Sequence, residues 1–456
     1  MLMFSQTSLL VVLLLRSSLA AAAPVQDLAS TEPVKQKLSE LSASLRWFGT
    51  THSTYAAIEP AARAAHSALV SLRTAHPEAV PRAEEFIETL GRLVTESHHL
   101  AEVSRPRTYK PGFLDSATFL TGSVNEWHHA INIMSKYLDW PSSYRPPQPR
   151  SKQATDNGDK VNKSTKPGTE FRDWTEGPTM VVIPTGTYTA GSSDAELKDW
   201  KVPADRQGYE QPQRQVHISK PLAFSRTEVE LSQFEAFVQE TSYQPRGGAR
   251  WWNPEDPSVM VFNPKLNYRD PGFPQTEKSP VVAITRQDAW AYARWLSVVT
   301  GHTYRLPSEE EWEWAARGGT NTTFFWGNDR HVEQANLYAN TYDQTSQKAN
   351  RFQWPASNVT DGFAYTAPVA SFRPNGFGLY DMTANAREFM ADDWVPFLGG
   401  VAANDGSVHV GPAPFPVVRG ASWNYTPRNL RINYRNAYFS SEVATNMFGI
   451  RLVREL

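Results

Sequence analysis

The spacing of apolar residues changes once along this chain, and the change divides the sequence into two regions. Up to about residue 137, apolar residues recur three and four positions apart, as at Leu38, Leu41 and Leu45, which is the pattern of amphipathic helices. Residues 141–166 are polar and proline-rich without apolar periodicity, which is typical of a linker. We therefore predict a helical domain at residues 24–140, a linker at 141–172 and a second domain at 173–456.

The first region predicts a small bundle of about three to five helices. The dipeptides Glu59-Pro60 and His76-Pro77 are turn signals that should separate its segments.

Residues 1–23 are interpreted as an export signal. Leu9–Leu15 is an unbroken apolar run, and Ser17–Ala23 supplies small residues for cleavage. The run is too short to span a bilayer as a mature helix. An uncleaved anchor is the alternative, because Arg16 follows the run and no basic residue precedes it. We expect an exported protein without a membrane span after cleavage.

The composition excludes several classes of function. The formal net charge of -2 gives no basic field for a nucleic acid. The 15 Trp, 33 Pro and 26 Gly are typical of a loop-rich body held by large aromatic side chains. The chain has no cysteine, which excludes disulfides, thiolate nucleophiles and thiolate metal ligands.

The second region predicts an α+β domain with much coil. Strands are expected at Met180–Ile183 and Gly186–Gly191, and amphipathic helices at Glu230–Thr241 and Thr285–Thr300. A further helix should start after Ser308 and end at Gly318, because serine caps free amides and glycine ends helices. Its cluster of glutamates is interpreted as the exposed face of a capped surface helix rather than as paired catalytic carboxylates.

Several segments of the second region occur together in a characteristic order. They are Gly186–Ser192, Arg226–Val229, Asn267–Gln275, Ser279–Val282, Asp288–Leu296, Arg305–Gly319, Pro374–Met382, Val418–Trp423 and Gly449–Val453. This ordered set resembles the formylglycine-generating enzyme family (sulfatase-modifying factors), whose domain also occurs in ergothioneine sulfoxide synthases and in a pyoverdine-maturation enzyme. The resemblance implies a variant of the C-type lectin fold, preceded here by the small helical domain. It does not imply one particular reaction.

The resemblance also shows what this chain has lost. The enzyme that gives the family its name binds copper through two cysteines, and the matching positions fall near Pro427 and Ile432. Neither side chain binds a metal, so the copper-thiolate oxidase mechanism is excluded. In ergothioneine-type relatives, histidines of a helical domain bind iron in a His-x3-His-x-Glu pattern. His98-His99 and His128-His129 do not form that pattern, and we interpret them as surface residues.

Family members bind structural calcium, and two matching sets of residues are expected to do so here. Asn340 and Asp361 match the first site, and Asn385 and Glu388 match the second. Oxygen ligands on coil suit calcium, which takes six to eight oxygens. The alternative is that Asn340 and Asp361 cap turns. At the second site Arg387 departs from the family pattern and could replace the cation by an ion pair.

The resemblance places a ligand groove among the aromatic and arginine residues near the C-terminus. We expect it to be lined by Trp252, Trp423, Arg431, Tyr434 and Arg435, with aromatic rings giving planar contact and arginines holding an anionic group. The alternative is that most of these aromatics belong to the core.

Two hypotheses of function follow. The first is an exported enzyme that modifies a peptide or an aromatic small molecule, by oxidation and with a redox metal that the sequence does not identify. The second is a calcium-stabilised binding protein without catalysis. The sequence assigns no catalytic residue to either hypothesis.

Overall fold

The computed structural model describes residues 32–45, 52–75, 83–103, 125–131, 134, 158–400, 403–438 and 440–456. The predicted export signal, the predicted turn at His76-Pro77 and residues 141–157 of the predicted linker lie outside these residues, and so does the predicted boundary between the helical domain and the linker. None of the helices in the described part of the chain has both the length and the apolar character needed to cross a bilayer.

The first region is helical, as its apolar spacing predicted. Its helices are α1 (Glu32–Ser44), α2 (His52–Ala75), α3 (Ala83–Val103) and α4 (residues 125–131). Their apolar faces form a common core in which Leu38, Ile58, Leu69 and Leu90 are buried. The prediction of a turn at Glu59-Pro60 was wrong, because α2 continues through Pro60. Ile58, Ala62 and Ala65 on either side of the proline are fully buried, and this packing outweighs the hydrogen bond that proline cannot donate.

The second region is an α+β domain with much coil, as predicted. Its helices are α5 (Asp194–Asp199), α6 (Ala204–Gln207), α7 (Leu231–Thr241), α8 (Arg286–Thr300), α9 (Glu309–Arg317), α10 (Ala335–Tyr338) and α11 (Gln344–Ala349). Its strands are β1 (Glu170–Phe171), β2 (Met180–Ile183), β3 (Gly186–Ala190), β4 (Arg214–Ile218), β5 (Leu222–Ser225), β6 (Ala249–Trp252), β7 (Met260–Asn263), β8 (Tyr304–Arg305), β9 (Arg387–Asp393), β10 (Pro416–Arg419), β11 (Phe448–Gly449) and β12 (Val453–Glu455). β1 already lies in the stretch that was expected to be linker.

The strands form small sheets that are connected by coil. Five strands pair in the order β1-β2-β5-β12-β8, and three pair in the order β10-β9-β11, while β3-β4 and β6-β7 are separate two-stranded sheets. The strand pairs are antiparallel except for β11 with β9. The last strand, β12, is internal to the five-stranded sheet and pairs with β5 on one side and with β8 on the other.

Helix α9 begins and ends as predicted, but the prediction that it lies on the surface was wrong. Ser308 accepts the amide of Glu311 at 3.1 Å, and Gly318 ends the helix with φ +56°. Every residue from Glu309 to Arg317 is nevertheless buried. The carboxylates tolerate burial because each has an arginine partner, as in the ion pair of Glu313 with Arg419 at 3.0 Å.

Candidate functional site

An aromatic pocket of about 190 Å³ lies at the surface of the second domain. Its walls come from five separate segments of the chain, which are β6 with the following loop, the loop at Gly272, the end of α11, the segment around Tyr365, and the C-terminal coil. The lining residues are Trp251, Trp252, Asn253, Pro254, Pro257, Gly272, Phe273, Ala349, Asn350, Arg351, Phe352, Tyr365, Trp423 and Asn446. Of the predicted groove residues, Trp252 and Trp423 belong to this lining.

The aromatic walls hold one another in place by ring contacts. Phe273 and Tyr365 are stacked at 4.8 Å, and Trp423 meets both rings edge-on at 5.6 and 5.2 Å. Trp252 contacts the ring of Trp354 at 4.7 Å. Such stacked and edge-on pairs contribute about 1 kcal/mol each beyond their buried area, so the pocket walls are fixed before any ligand arrives.

Gly272 allows one wall to approach closely. A Cβ atom on this residue would lie 2.8 Å from the ring of Trp251, and the backbone has φ +91°. Both facts favour glycine, because other residues rarely adopt this conformation and no side-chain atom fits beneath the indole. The absence of a side chain therefore sets the position of Trp251 in the pocket.

The chemistry of the pocket lies in a few polar groups. Trp252 Nε1 and Asn446 Oδ1 are buried and have no hydrogen-bond partner among the described residues. The amide orientation of Asn446 is fixed, since its Nδ2 donates to the carbonyl of Pro271 at 3.1 Å. Arg351 is exposed and is the only charged residue among those described as lining the pocket. Unpaired buried polar atoms are uncommon in folded proteins. The pocket thus presents aromatic rings and one positive charge to a planar ligand, and two of its lining residues carry a buried polar atom without a partner.

The other predicted groove residues, Arg431, Tyr434 and Arg435, lie away from this lining. Arg431 is 1% exposed and donates to both oxygens of Glu210, at 2.7 and 2.8 Å. Arg435 donates in the same bidentate way to Glu309, at 2.6 and 2.9 Å. Tyr434 is buried beside Tyr425, and burial raises the pKa of its phenol. The charge of each arginine is therefore paired inside the protein, with Glu210 or with Glu309.

The residues of the first predicted calcium site are close together. The amide of Thr341, next to Asn340, donates to Asp361 Oδ2 at 2.9 Å. Asp343 lies beside Asp361, and burial together with Asp343 raises the pKa of Asp361 to about 7. Asn340 Oδ1 is buried without a partner. An unpaired oxygen near two adjacent carboxylates fits the donor set of a hard cation such as calcium.

Turn capping, the alternative at this site, is also present. Asp343 Oδ1 accepts the amides of Thr345 and Ser346 at 2.7 and 2.9 Å and caps α11. Asp361 Oδ1 accepts the amide of Phe363 at 2.9 Å. Each carboxylate therefore keeps lone pairs beyond those that the turns use, and the two interpretations are compatible.

The residues of the second predicted calcium site do not fit a cation. Glu388 accepts Arg451 Nε at 2.8 Å on one oxygen and Trp312 Nε1 at 2.6 Å on the other. Asn385 Oδ1 accepts two N–H groups, one at 2.9 Å from Asn340 and one at 2.8 Å from a backbone amide. The ion pair expected in place of the cation is present, but its arginine is Arg451 rather than Arg387. Arg387 instead donates to the hydroxyl of Tyr438 at 2.9 Å.

Among the described histidines of the helical region, His98, His99 and His128 each have a different partner. His98 pairs with Glu59 at 3.0 Å, and His128 bonds Ser42 at 3.0 Å. His99 contacts the ring of Phe415, and burial lowers its pKa. Within the described residues there is no group of three or more His, Asp or Glu side chains that could hold a metal ion. These histidines therefore offer no iron site of the ergothioneine type.

Sequence reasoning missed several lining residues, above all Asn446, Phe352 and Tyr365. The signal that could have found Phe352 and Tyr365 is the density of aromatics in the coil after α11, between residues 352 and 365. Asn446 carries no such signal, because nothing in its neighbourhood distinguishes it from a turn residue.

Comparison with known proteins agrees with this fold. The model of the sulfatase-modifying factor enzyme 1-like domain matches residues 165–456. The formylglycine-generating enzyme of Thermomonospora curvata is 32% identical over 242 residues, which cover 47% of this chain and 71% of that protein. The inactive C-alpha-formylglycine-generating enzyme 2 of Mus musculus is 31% identical over 270 residues, 54% of this chain and 74% of that protein.

Among solved structures, PvdO from Pseudomonas aeruginosa superposes with a TM-score of 0.52 at 31% identity, covering 64% of this chain and 100% of that chain. The matched segments contain no cysteine here, so the thiolate copper chemistry has no ligands. The chain therefore belongs to the formylglycine-generating enzyme (sulfatase-modifying factor) family, as a cysteine-less member whose family domain follows a helical region.

Proposed function

We propose that this protein binds a planar aromatic group, of a peptide or of a small molecule, in the pocket between Trp252 and Trp423. The observation that carries the proposal is the preformed aromatic lining, in which Phe273, Tyr365 and Trp423 hold one another by ring contacts beside Trp252. A planar ligand that enters this pocket gains ring contacts with these side chains.

The proposal is tested by calorimetric titration with N-acetyl-L-tyrosinamide, which has an aromatic ring and amide groups. We expect saturable binding, and Trp252→Ala should weaken it at least about fivefold, since one lost ring contact is worth roughly 1 kcal/mol. Trp200→Ala is the matched control, because Trp200 packs on Phe324 in another cluster. Binding that is the same in Trp252→Ala and wild type would refute the assignment of this pocket.

Arg351 makes a second measurement informative. N-acetyl-L-tyrosine carries a carboxylate in place of the terminal amide, and the exposed guanidinium lies among the lining residues. We expect tighter binding of the anion than of the amide, and Arg351→Gln should remove the difference. Because surface ion pairs are worth less than about 1 kcal/mol, the expected preference is a few-fold.

Oxidative modification of the bound group is the second candidate. It is favoured by the relative from Thermomonospora curvata, whose name is that of an enzyme generating formylglycine. The mouse relative at 31% identity is named inactive, so identity alone does not separate the two functions. Metal analysis of the purified protein and oxygen uptake with N-acetyl-L-tyrosinamide decide between them. A redox metal with oxygen consumption supports the enzyme, and calcium without turnover supports the binding protein.

We also propose a structural calcium ion at Asn340 and Asp361, with Asp343 nearby. The ion would neutralise two adjacent carboxylates and satisfy the unpaired oxygen of Asn340. Thermal unfolding should therefore occur at a higher temperature in calcium than in chelator, by mass action on the folded state. Asp361→Asn should abolish the difference, whereas Asp405→Asn, in an exposed loop, should keep it.

Export is the remaining proposal, and it rests on the apolar run Leu9–Leu15 and the small residues that follow it. N-terminal sequencing of the secreted protein should find a start near residue 24. A retained Met1 would refute cleavage.

A further inference from the structure

Helix α4 of the helical region is joined to strand β6 by a buried ion pair. Arg250 donates from Nε to Glu126 Oε1 at 2.6 Å and from Nη2 to Glu126 Oε2 at 2.9 Å. Both residues are only 3% exposed. Burial raises the pKa of Glu126, while the guanidinium of Arg250 opposes this effect. The bidentate geometry favours the ionised pair, because both carboxylate oxygens accept charged donors.

The main chain of Arg250 connects two walls of the aromatic pocket. Its amide donates to the carbonyl of Ala444 at 2.8 Å, and its carbonyl accepts the amide of Asn446 at 3.3 Å. Trp251 and Trp252 follow Arg250 directly in β6, and they line the pocket together with Asn446. Arg250 therefore joins the two walls through its main chain, and Glu126 holds the side chain of Arg250.

Two further contacts attach the helical region to the same segments. His129, one turn after Glu126 on α4, lies 2.9 Å through Nε2 from the carbonyl of Arg246, just before β6. Glu96 on α3 accepts Trp127 Nε1 at 2.8 Å and the amide of Ser441 at 2.9 Å. The helices thus contact both the β6 side and the residue 441–446 side of the pocket.

We propose that the helical region is a structural part of the ligand pocket, and that Glu126 is a positioning residue that fixes Trp251, Trp252 and Asn446 through Arg250. This inference rests on the proposed function only for the ligand, since the positioning itself is a statement about the fold. The family model begins at residue 165, so the positioning residues come from outside the matched domain. Without Glu126 the buried guanidinium of Arg250 would lose its bidentate carboxylate partner, and β6 would separate from its neighbours to hydrate the charge.

The test uses the full chain and two readouts. In Glu126→Gln we expect amide hydrogen exchange at residues 249–252 and 444–446 to accelerate at least about tenfold, because loss of the ion pair lowers the local opening free energy. Exchange in β2 and β5 should not change. Calorimetric affinity for N-acetyl-L-tyrosinamide should fall at least about fivefold, since the walls that contact the ring are no longer fixed.

Glu88→Gln is the matched control. Glu88 also pairs with an arginine of the helical region, Arg92 at 3.2 Å, but its side chain is 54% exposed. Both readouts should match wild type in this variant. Glu126→Asp is measured in parallel, because it keeps the charge while shortening the reach. In Glu126→Asp, hydrogen exchange of the same amides should accelerate to a smaller extent. This variant keeps the test possible if Glu126→Gln does not fold.

The outcomes separate the two proposals. Unchanged exchange at residues 249–252 and 444–446 in both Glu126 variants would overturn the positioning role, and so would an equal acceleration in β2 and β5. If wild type binds no aromatic probe while the Glu126 variants still show local acceleration, the proposed function fails and the positioning role stands.

Discussion

Glu309 is the centre of a buried network of ion pairs that stabilises the folded protein. Its carboxylate accepts hydrogen bonds from Arg435 at 2.6 Å and from Arg419 at 2.8 Å, and all three residues are almost fully buried. Burial alone would raise the pKa of Glu309, but the two guanidinium groups outweigh it and lower the pKa to about 2. Relative to 4.5 in the unfolded chain, this shift corresponds to about 3 kcal/mol of stabilisation.

We expect Glu309→Gln to lower the free energy of unfolding by about 3 kcal/mol at pH 7, which agrees with the roughly 3–5 kcal/mol typical of breaking a buried ion pair. The assay is urea unfolding followed by tryptophan fluorescence. Glu333→Gln serves as control, because Glu333 is exposed, and it should change stability by less than about 0.5 kcal/mol.

The dependence on pH gives the sharper test. Because the folded pKa of Glu309 lies below its unfolded value, its stabilisation is fully present above pH 4.5 and is lost as the pH falls towards 2. The difference between wild type and Glu309→Gln should therefore shrink by roughly 2 kcal/mol between pH 6 and pH 3. A difference below about 1 kcal/mol at pH 7, or one that does not change with pH, would refute the reasoning.

Two further predictions concern the rest of the protein. Burial raises the pKa of Glu96 to about 8, so its folded pKa exceeds the unfolded value of 4.5, and its contribution is fully present below pH 4.5 and lost as the pH rises through 8. Urea unfolding should show Glu96→Gln gaining roughly 3 kcal/mol relative to wild type between pH 5 and pH 8, and parallel curves would contradict this. Gly272→Ala should destabilise the fold by more than Gly168→Ala in thermal unfolding. Both have positive φ, but only a Cβ at Gly272 meets an indole, whereas Gly168 has nothing within 4 Å. Equal losses of thermal stability in the two variants would mean that backbone strain alone determines the loss.

The helices could be predicted because their signals are local. α8 begins after Thr285 and α9 after Ser308, and each cap is followed within a turn by buried residues of the same helix. The burial of α9 could not be predicted, since it depends on Arg419 and Arg435, which are 110 and 126 residues away from Glu309. A glutamate cluster on a short helix looks the same in the sequence whether water or arginine surrounds it.

The candidate pocket was predicted in part for the same reason. Trp252 and Trp423 were predicted as groove residues from the family resemblance, but Asn446 and Phe352 join them only through tertiary contacts. The arginines Arg431 and Arg435 have the charge expected of a ligand clamp. Their actual partners, Glu210 and Glu309, lie more than 100 residues earlier, where no spacing rule connects them.

The internal position of β12 has a consequence for how this protein is made. The five-stranded sheet joins β2 and β5, synthesised early, to residues 453–455, so the sheet is open until those residues have left the ribosome. Helices α1, α2 and α3 pack mainly on one another and can form during translation. Their partners at Ser441 and Glu442 emerge among the last residues of the domain. The helices can therefore form before the domain that packs against them has folded. Until it folds, the carboxylates that these helices bury in the native protein are exposed to water.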